Sequence, residues 1–576
     1  MHPPSIPIWK EKKPINSLNP IEISTALRVI PLYGKLMANR GVSPDIAKSF
    51  FNPDLTHLHD PIWMQGMKAA VDRIIQAIND KQSIMVYGDY DVDGTTGVSL
   101  FYLFLKKVHE NVTYYIPDRY TEGYGLSKQG IDTAAGNGCK LMIVIDCGIR
   151  SVALIDYANA IGVDIIVCDH HLPGNEIPKA IAVLDPKKPE CNYPFKELSG
   201  CGIAFKLAQA LNQTTDYWPT DYCFKFLDLV AVSTGCDIVP IVGENRILAH
   251  FGLELLNTKP RPGLKILMFG VEKDATHSFS ISDVVFRIGP RINAAGRLES
   301  GLSAVDLLVT DDAKLCEEYA SKLSVLNTAR GELDVEMTAE AFQQIDKDPD
   351  YPNKHTTVVY QPHWHKGVVG IVASRLIERY YRPTLVLTDA DDLIGGSARS
   401  IEAVDVHEAL TACESLLVQF GGHRHAAGLK LKKENLLEFS QMFEQAVASK
   451  ITAKDLHPVF AYESELDLSE INERIIQVIQ RFAPFGPQNM EPVFMAKGVY
   501  DSGYAKTMGS KHEHLRLNLM SSANSDPISA IAFKMGDWYP KIKYNQRFDI
   551  LYTIGINHFN GEKRMQLEIK DIRHPQ

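Results

Sequence analysis

Asp89, Asp91 and Asp93 alternate within the stretch Met85–Gly97, MVYGDYDVDGTTG, directly after the apolar run Ser83–Tyr87. Carboxylates packed this closely repel one another and retain protons unless cations neutralise them. Two chemistries use such a site. One is a covalent phosphatase, with Asp91 as nucleophile and Asp93 as acid or base. The other is a cluster of divalent ions.

Further clusters follow other apolar runs. Asp146-Cys147-Gly148 comes after Leu141–Ile145, Asp169-His170-His171 comes after Asp164–Cys168, and Asp237 closes Ser233-Thr234-Gly235-Cys236-Asp237. Taken alone, Asp91 and Asp93 fit a solvated turn, and His170 and His171 fit core or capping histidines. Taken together they carry more weight, because open parallel sheets bind ligands beyond the carboxyl ends of their strands. Carboxylates with imidazole favour Mg²⁺ or Mn²⁺, and without a C-x-x-C pair a structural zinc site is disfavoured. Two such ions about 3.5–4 Å apart suit phosphodiester hydrolysis. The covalent reading has no use for Asp89 or for Asp-His-His. It also needs a lysine and a later acidic pair, for which no convincing positions are found.

The elements that must position these residues follow from the pattern of the chain. Val112–Ile116 and Ile181–Leu184 are further apolar runs, Val98–Val108 reads as a helix, and helix-like stretches separate most of the runs. This predicts an α/β fold with a mostly parallel sheet buried on both faces. Leu315, Tyr319, Leu323, Leu326, Leu333 and Met337 recur at helical spacing, which predicts an amphipathic connecting helix with a break near Gly331. Thr356–Tyr360, Thr384–Leu387 and Leu429–Leu431 suggest a second α/β unit. The alternation His514-Leu515-Arg516-Leu517-Asn518-Leu519 and the turn signal Phe559-Asn560-Gly561-Glu562 suggest a small antiparallel β-barrel.

A chain of 576 residues exceeds one core. Its net charge of −10 excludes a protein that coats polyanions wholesale, though not an enzyme with one basic groove. Nine scattered cysteines read as reduced, mostly buried thiols. Neither a secretory leader nor a membrane span is recognisable, so a cytoplasmic protein is expected.

The ordered motifs resemble the DHH phosphoesterase family, and within it the single-strand-specific 5′→3′ DNA exonucleases. They are Gly88-Asp-Tyr-Asp-Val-Asp-Gly94, Pro117-Asp-Arg-Tyr-Thr-Glu-Gly-Tyr-Gly125, Asp146-Cys-Gly148, Asp169-His-His171, Gly289-Pro-Arg-Ile-Asn-Ala-Ala-Gly-Arg297, Gly367-Val-Val-Gly-Ile-Val-Ala-Ser-Arg375, Gly396-Ser-Ala-Arg-Ser400 and Gly421-Gly-His-Arg-His-Ala-Ala-Gly428. The resemblance implies an N-terminal irregular segment packing on the core (1–65), a DHH catalytic domain (66–305), a connecting helix (306–349), a DHH-associated domain (350–452) and an oligonucleotide-binding (OB-like) β-barrel (458–576). It implies Asp91, Asp93, Asp146, His170 and Asp237 as ligands of two Mn²⁺ or Mg²⁺ ions, with Asp146 as the bridge. Asp89 would lie beside them and His171 would face the phosphate.

Substrate contacts would come from Arg119, Arg291, Asn293, Arg297, Arg375, Ser397, Arg399, Gly421, Gly422 and His423. Gly367–Gly370 precedes a helix whose N-terminus suits a phosphate. The implied activity is hydrolysis of single-stranded DNA to 5′-mononucleotides in repair and recombination, by a monomer. A single-stranded-DNA-binding protein and a helicase are implied partners. A DHH phosphodiesterase of short oligonucleotides or cyclic dinucleotides is the enzymatic alternative, and a catalytically dead binding subunit is the non-enzymatic one. Phe485-Gly486-Pro487-Gln488-Asn489-Met490-Glu491-Pro492 resembles the family's lead-in to the last domain, from which Gln488 and Met490 depart. Two readings stay open. Lys541, Lys543, Arg547, Trp538, Tyr539 and Tyr544 form either a strand-binding face or ordinary core and surface. His363-x-His365 and His423-x-His425 are either metal ligands or structural.

Overall fold

The computed structural model describes residues 5–270, 278–522, 526–542, 546–559 and 562–575. The acids sit on a five-stranded sheet ordered Val112–Tyr115, Ser83–Gly88, Cys139–Ile145, Asp164–Cys168 and Ala182–Leu184. Every neighbouring pair is parallel. Alternate side chains go to opposite faces, as a strand requires. Ile84, Val86, Leu141, Ile143 and Ile166 pack with helices Met67–Asn79, Val92–Lys106 and Gly200–Thr214. Met85, Tyr87, Met142, Val144 and Ile165 pack with helices Lys128–Gly136 and Val152–Ala160. Both faces are thus covered, which explains the near-continuous apolar runs. The first strand lies between the second and the third, so the chain order reverses between Ser83–Gly88 and Cys139–Ile145. A crevice forms at such a reversal, and the acids sit there.

The connecting helix, Ala313–Asp346, runs unbroken for 34 residues. The expected break near Gly331 is absent. A Cβ at Gly331 would meet nothing within 4 Å, so no close approach requires the glycine. A glycine in a helix costs only about 1 kcal/mol relative to alanine, and the packed stripe of Leu323, Leu326, Met337, Ala341 and Ile345 outweighs it.

The second unit is a five-stranded sheet ordered Leu417–His423, Ala426–Lys432, Leu393–Arg399, Thr384–Ala390 and Thr357–Tyr360. Gly421 and Gly422 lie on its edge strand. They pair with Gly428 and Ala427, and Gly422 has φ +145° where a Cβ would strike the neighbouring backbone.

At the C-terminal end the strand pairings run in a ring. Phe494–Asp501 pairs with Phe548–Phe559, which pairs with Glu562–Arg573. The ring continues through Ile528–Ala532 and His514–Met520 and returns to Phe494–Asp501. The register of the long hairpin reaches Phe559↔Glu562. Its turn residues Asn560 and Gly561, together with Lys543 and Tyr544, lie outside the described residues.

The N-terminal segment is not irregular. Its prolines open helices Pro20–Leu27, Pro31–Ala38 and Pro44–Phe51, where the missing N–H costs no intrahelical bond. These helices share a core with the C-terminal ring through Ile23, Tyr33, Leu36, Phe482 and Phe494. The strand Ile8–Glu11 pairs in parallel with Val459–Tyr462. All cysteines are free thiols, buried except for the half-buried Cys236. Among the described residues no helix is long and apolar enough to cross a membrane.

Candidate metal centre

Each acid reaches the crevice by its own local device. Asp91 caps helix Val92–Lys106, its Oδ1 accepting from Asp93 N at 2.9 Å and Gly94 N at 3.2 Å. Asp93, in the first turn of that helix, points back to a second helix N-terminus. It accepts from Gly200 N (2.6 Å), Cys201 N (2.7 Å) and Ser233 Oγ (2.6 Å). Asp146 follows the third strand with φ +61°, in the left-handed region, which turns its carboxylate into the crevice. Gly200 makes room for it, since a Cβ there would lie 2.7 Å from Asp146 Cβ. Asp237 sits at the C-terminal end of helix Leu227–Cys236.

The histidines are oriented by Asp169, whose Oδ1 accepts from His171 Nδ1 (2.7 Å) and from the N–H of His170 (2.8 Å) and His171 (3.1 Å). Its Oδ2 accepts from Ile149 N at 2.9 Å. Burial alone would raise the Asp169 carboxyl, but the His171 hydrogen bond and charge outweigh it and bring it down to about 2. His171 responds in the opposite sense: burial lowers it, and the bond to Asp169 carries it above the usual imidazole range. With Nδ1 donating to Asp169, Nε2 faces outward, 3.1 Å from the Tyr124 hydroxyl.

His170 Nε2 lies 3.2 Å from Asp146 Oδ1, 3.5 Å from Asp237 Oδ2 and 3.7 Å from Asp93 Oδ2. Burial brings its pKa down to about 4, so it is a neutral imidazole with a free lone pair. Asp146 is raised by burial and then by Asp93, Asp91 and Asp237. Asp89 is raised by burial and then Asp91, and Asp237 by burial and then Asp93.

The structure therefore brings together Asp89, Asp91, Asp93, Asp146, His170, His171 and Asp237. Ligand atoms within 4.8 Å of one another form the groups Asp146–His170–His171, Asp93–His170–Asp237 and Asp89–Asp91–Asp146. Asp146 and His170 are each shared between two of them. Asp146 Oδ1 and both ring nitrogens of His170 are buried and make no hydrogen bond. Buried polar atoms left without partners are costly, and a divalent cation would satisfy Asp146 Oδ1 and His170 Nε2, the ring nitrogen that faces the carboxylates.

Beside this centre lies an arginine cluster. Arg297 is half-buried at the junction of the two α/β units and donates to Gly367 O at 3.1 Å. Burial, then the nearby Arg119, Arg399 and Arg330, bring its guanidinium down to about 10. Arg399 donates to Ser397 Oγ at 2.8 Å, and Gly370 passes close to both side chains at the start of helix Val369–Tyr380. Arg119 lies over the Tyr90 ring at 5.2 Å. Asn293 accepts from Val92 N at 3.2 Å, and the His423 ring stacks on His171 at 6.4 Å. Like charges gathered in one half-buried place suit an anion.

Arg375 and Arg291 are not in the cluster. Arg375 pairs with Asp334 and Glu378, and Arg291 donates to the carbonyl of Leu267. Arg330, on the connecting helix, was missed and no local sequence signal marks it; Tyr124 was not singled out either, although it lies within the motif Pro117–Gly125. The role of Asp169 had a signal, its place in Asp-His-His. His363 binds Glu340 at 3.0 Å and His365 Nδ1 accepts from Gly367 N at 3.2 Å, so both have structural partners.

Three family descriptions match in chain order. These are the DHH family N-terminal domain at 83–234, the DHHA1 domain at 353–449 and the RecJ OB domain at 462–571. The single-stranded-DNA-specific exonuclease RecJ of Bacillus subtilis is 36% identical over 95% of this chain and 69% of its own length. The chain belongs to the RecJ family. The RecJ of Escherichia coli is 33% identical over 88% of this chain and 91% of its own length. The crystal structure of RecJ in complex with Mn²⁺ from Thermus thermophilus superposes with a TM-score of 0.82 at 28% identity. It covers 99% of this chain and 80% of that one. A crystal structure of exonuclease RecJ bound to manganese matches with a TM-score of 0.60 at 32% identity, over 70% of this chain and all of the other. RecJ-family membership, with Asp89 and Asp-His-His drawn into one cluster, decides against the covalent phosphatase.

Proposed function

We propose that this protein is a metal-dependent exonuclease that degrades single-stranded DNA from the 5′ end to 5′-mononucleotides in repair and recombination. One observation carries the reading: acids from separate strand ends share Asp146 and His170 in a pocket with orphaned ligand atoms. The residues fit two Mn²⁺ or Mg²⁺ ions held by Asp91, Asp93, Asp146, His170 and Asp237, with Asp146 shared and Asp89 adjacent. When bound, such ions supply Lewis acidity for activating water and for offsetting charge on a phosphodiester.

The chain's own residues do the rest. Gly200 N, Cys201 N and Ser233 Oγ fix Asp93, and Asp169 fixes His171 so that Nε2 faces the scissile phosphate. Arg119, Arg297, Arg399, Ser397 and the N-terminus of helix Val369–Tyr380 take the terminal phosphate, through charge-assisted bonds and the helix dipole. A terminal-phosphate site beside the reacting centre sets the strand polarity. The crevice between the two α/β units admits one strand and excludes a duplex by width.

The proposed functional units are 66–305, 306–349, 350–452 and 458–576, with 1–65 attached. The same reading places the protein in the cytoplasm as a monomer, receiving strands with the help of a single-stranded-DNA-binding protein and a helicase. The test uses purified protein, Mn²⁺ or Mg²⁺, and end-labelled single and double strands. Mononucleotides released from the 5′ end of single strands alone support the proposal. Turnover confined to dinucleotides or cyclic dinucleotides replaces it with the small-substrate alternative.

A further inference from the structure

The five strands of the metal-bearing sheet end side by side, and each leads to a chemically distinct group. In spatial order, Val112–Tyr115 leads to Arg119, Ser83–Gly88 to Asp91 and Asp93, Cys139–Ile145 to Asp146, and Asp164–Cys168 to His170 and His171. The fifth and outermost, Ala182–Leu184, leads to Asp185-Pro186-Lys187. The acids and imidazoles are therefore bracketed by a cation following each edge strand. Those two edge strands stand four inter-strand steps apart, roughly 19 Å by the usual spacing. Arg119 belongs to the proposed terminal-phosphate site. Lys187 is its counterpart at the opposite edge.

Local structure holds Lys187 in place. Asp185 Oδ1 accepts from Lys187 N at 2.7 Å, closing a tight turn around Pro186. Asp169 N donates to Leu184 O at 3.0 Å, which ties this strand end to the Asp-His-His loop. Leu172, Lys187, Lys188, Lys196 and Glu197 line a cavity of about 550 Å³. Leu172 directly follows His171, and Glu197 shortly precedes Gly200, whose N–H holds Asp93. The cavity is thus walled by two segments that build the metal centre. Its charged lining is three lysines against one carboxylate. Lys188 and Lys196 donate to the carbonyls of Val183 and Cys191, which orders them without neutralising them. Lys187 Nζ lies 3.6 Å from Glu197 Oε2, a loose pair with a partly exposed partner that contributes little. The Lys187 ammonium also interacts with Asp237, with His170 and, from the second α/β unit, with His423. Its charge therefore reaches the crevice.

We propose that this cavity is a second phosphate site, in which Lys187 takes the phosphodiester immediately 3′ of the scissile one. This rests on the exonuclease reading. A strand lying across the sheet edge then meets arginines at its terminal phosphate, the acids at the bond that is cut, and Lys187 at the next linkage. Holding the backbone on both sides of the cut keeps the scissile phosphate over the acids in one orientation. Lys187 is a positioning residue, and a contact to phosphate carries no preference for sequence.

The test measures binding, in EDTA, of a labelled 5′-phosphorylated single strand. A second strand carries an uncharged methylphosphonate at the linkage after the scissile one. Lys187→Ala should raise Kd for the natural strand roughly fivefold and make the slope of log Kd against log salt shallower by about 0.7, the share of one neutralised phosphate. Lys187→Arg should keep both parental values. The methylphosphonate should weaken binding to the parent by a similar factor and leave Lys187→Ala unaffected, because both changes remove the same contact. Equal effects of the methylphosphonate on the two proteins overturn the proposal. So does a Lys187→Ala effect seen only in the affinity for free thymidine 5′-monophosphate, which assigns the cavity to the released nucleotide. Strand binding that depends on Lys187 without any degradation under Mn²⁺ overturns the exonuclease reading instead.

Discussion

Asp146 has the most neighbours of like charge in the crevice and the least freedom. It is buried, held at φ +61°, and closed in by Gly200. Replacing it with alanine should cut strand degradation by at least about a hundredfold, since losing even the groups behind metal ligands costs 10–100-fold. Binding of a labelled strand should persist, because the arginine cluster is untouched, and parental degradation by this variant would show that the site is misplaced. The raised carboxyls give a second expectation. A carboxyl whose folded pKa stands above its unfolded value stabilises the fold only while protonated, and this contribution is lost as pH climbs through the raised pKa. Asp89, Asp146 and Asp237 all shift in this direction, through burial and neighbouring carboxylates. Bound cations remove the repulsion and displace the protons. Manganese should therefore raise Tm more at about pH 8 than at about pH 5, its stabilisation of the fold reaching roughly 2.7 kcal/mol at a hundredfold excess over Kd. A thermal shift independent of pH would argue against ions among these groups. At this scale the sequence was largely legible, because acids placed directly after apolar runs need only one assumption, a parallel sheet, to converge. The second role of Asp169 was hidden. Its motif names it, but only the hydrogen bonds reveal an orienter of His171 rather than a ligand.

Among the elements, the connecting helix shows where local preference and tertiary context part. Gly331 reads as a break, yet the helix continues because its apolar stripe is packed at both ends. The glycine sits in ordinary helical backbone with open space around its missing Cβ. Gly331→Ala should raise stability by about 0.8–1 kcal/mol, seen as a higher urea midpoint with an unchanged slope. A loss of stability would mean that the position serves something the static structure does not display. The same helix carries Arg330 into the arginine cluster, although its sequence shows only an amphipathic face with charges. Amphipathic periodicity identifies the buried side of a helix. It does not say which exposed charge will meet a distant domain. Gly421 and Gly422 teach the related lesson for strands, since glycines that look like a loop pair instead along an edge strand beside Ala426–Lys432.

For the whole molecule, the decisive contacts join residues hundreds of positions apart, which no periodicity can reveal. The N-terminal segment is bound to the C-terminal ring by the parallel pair Ile8–Glu11 with Val459–Tyr462, and by Glu463, which receives Lys12, Asn39 and Arg40. Arg246, on helix Gly243–Thr258 of the catalytic unit, ties that assembly to the metal-bearing half. Its guanidinium lies 3.9 Å from the Phe50 ring centre and donates to the carbonyls of Phe50, Phe482 and Ala483. Burial lowers its pKa to about 10, which still leaves it charged at neutral pH. Hydrogen bonds from a charged donor are worth about 1.5–3 kcal/mol each, and carbonyls left without partners add their own cost. A lysine offers one compact ammonium where the planar fork reaches several oxygens, so Arg246→Lys should rescue little. Arg246→Ala should lower Tm and split a single unfolding transition into two, as the N- and C-terminal assembly melts apart from the catalytic unit. Because Arg246 lies outside the acid and arginine clusters, hydrolysis of a short 5′-phosphorylated oligonucleotide by the folded variant should change less than twofold. On the proposed reading, in which the OB domain guides the strand, degradation of long strands should become less processive. A variant that unfolds in one transition at the parental Tm would show that the halves are held together elsewhere.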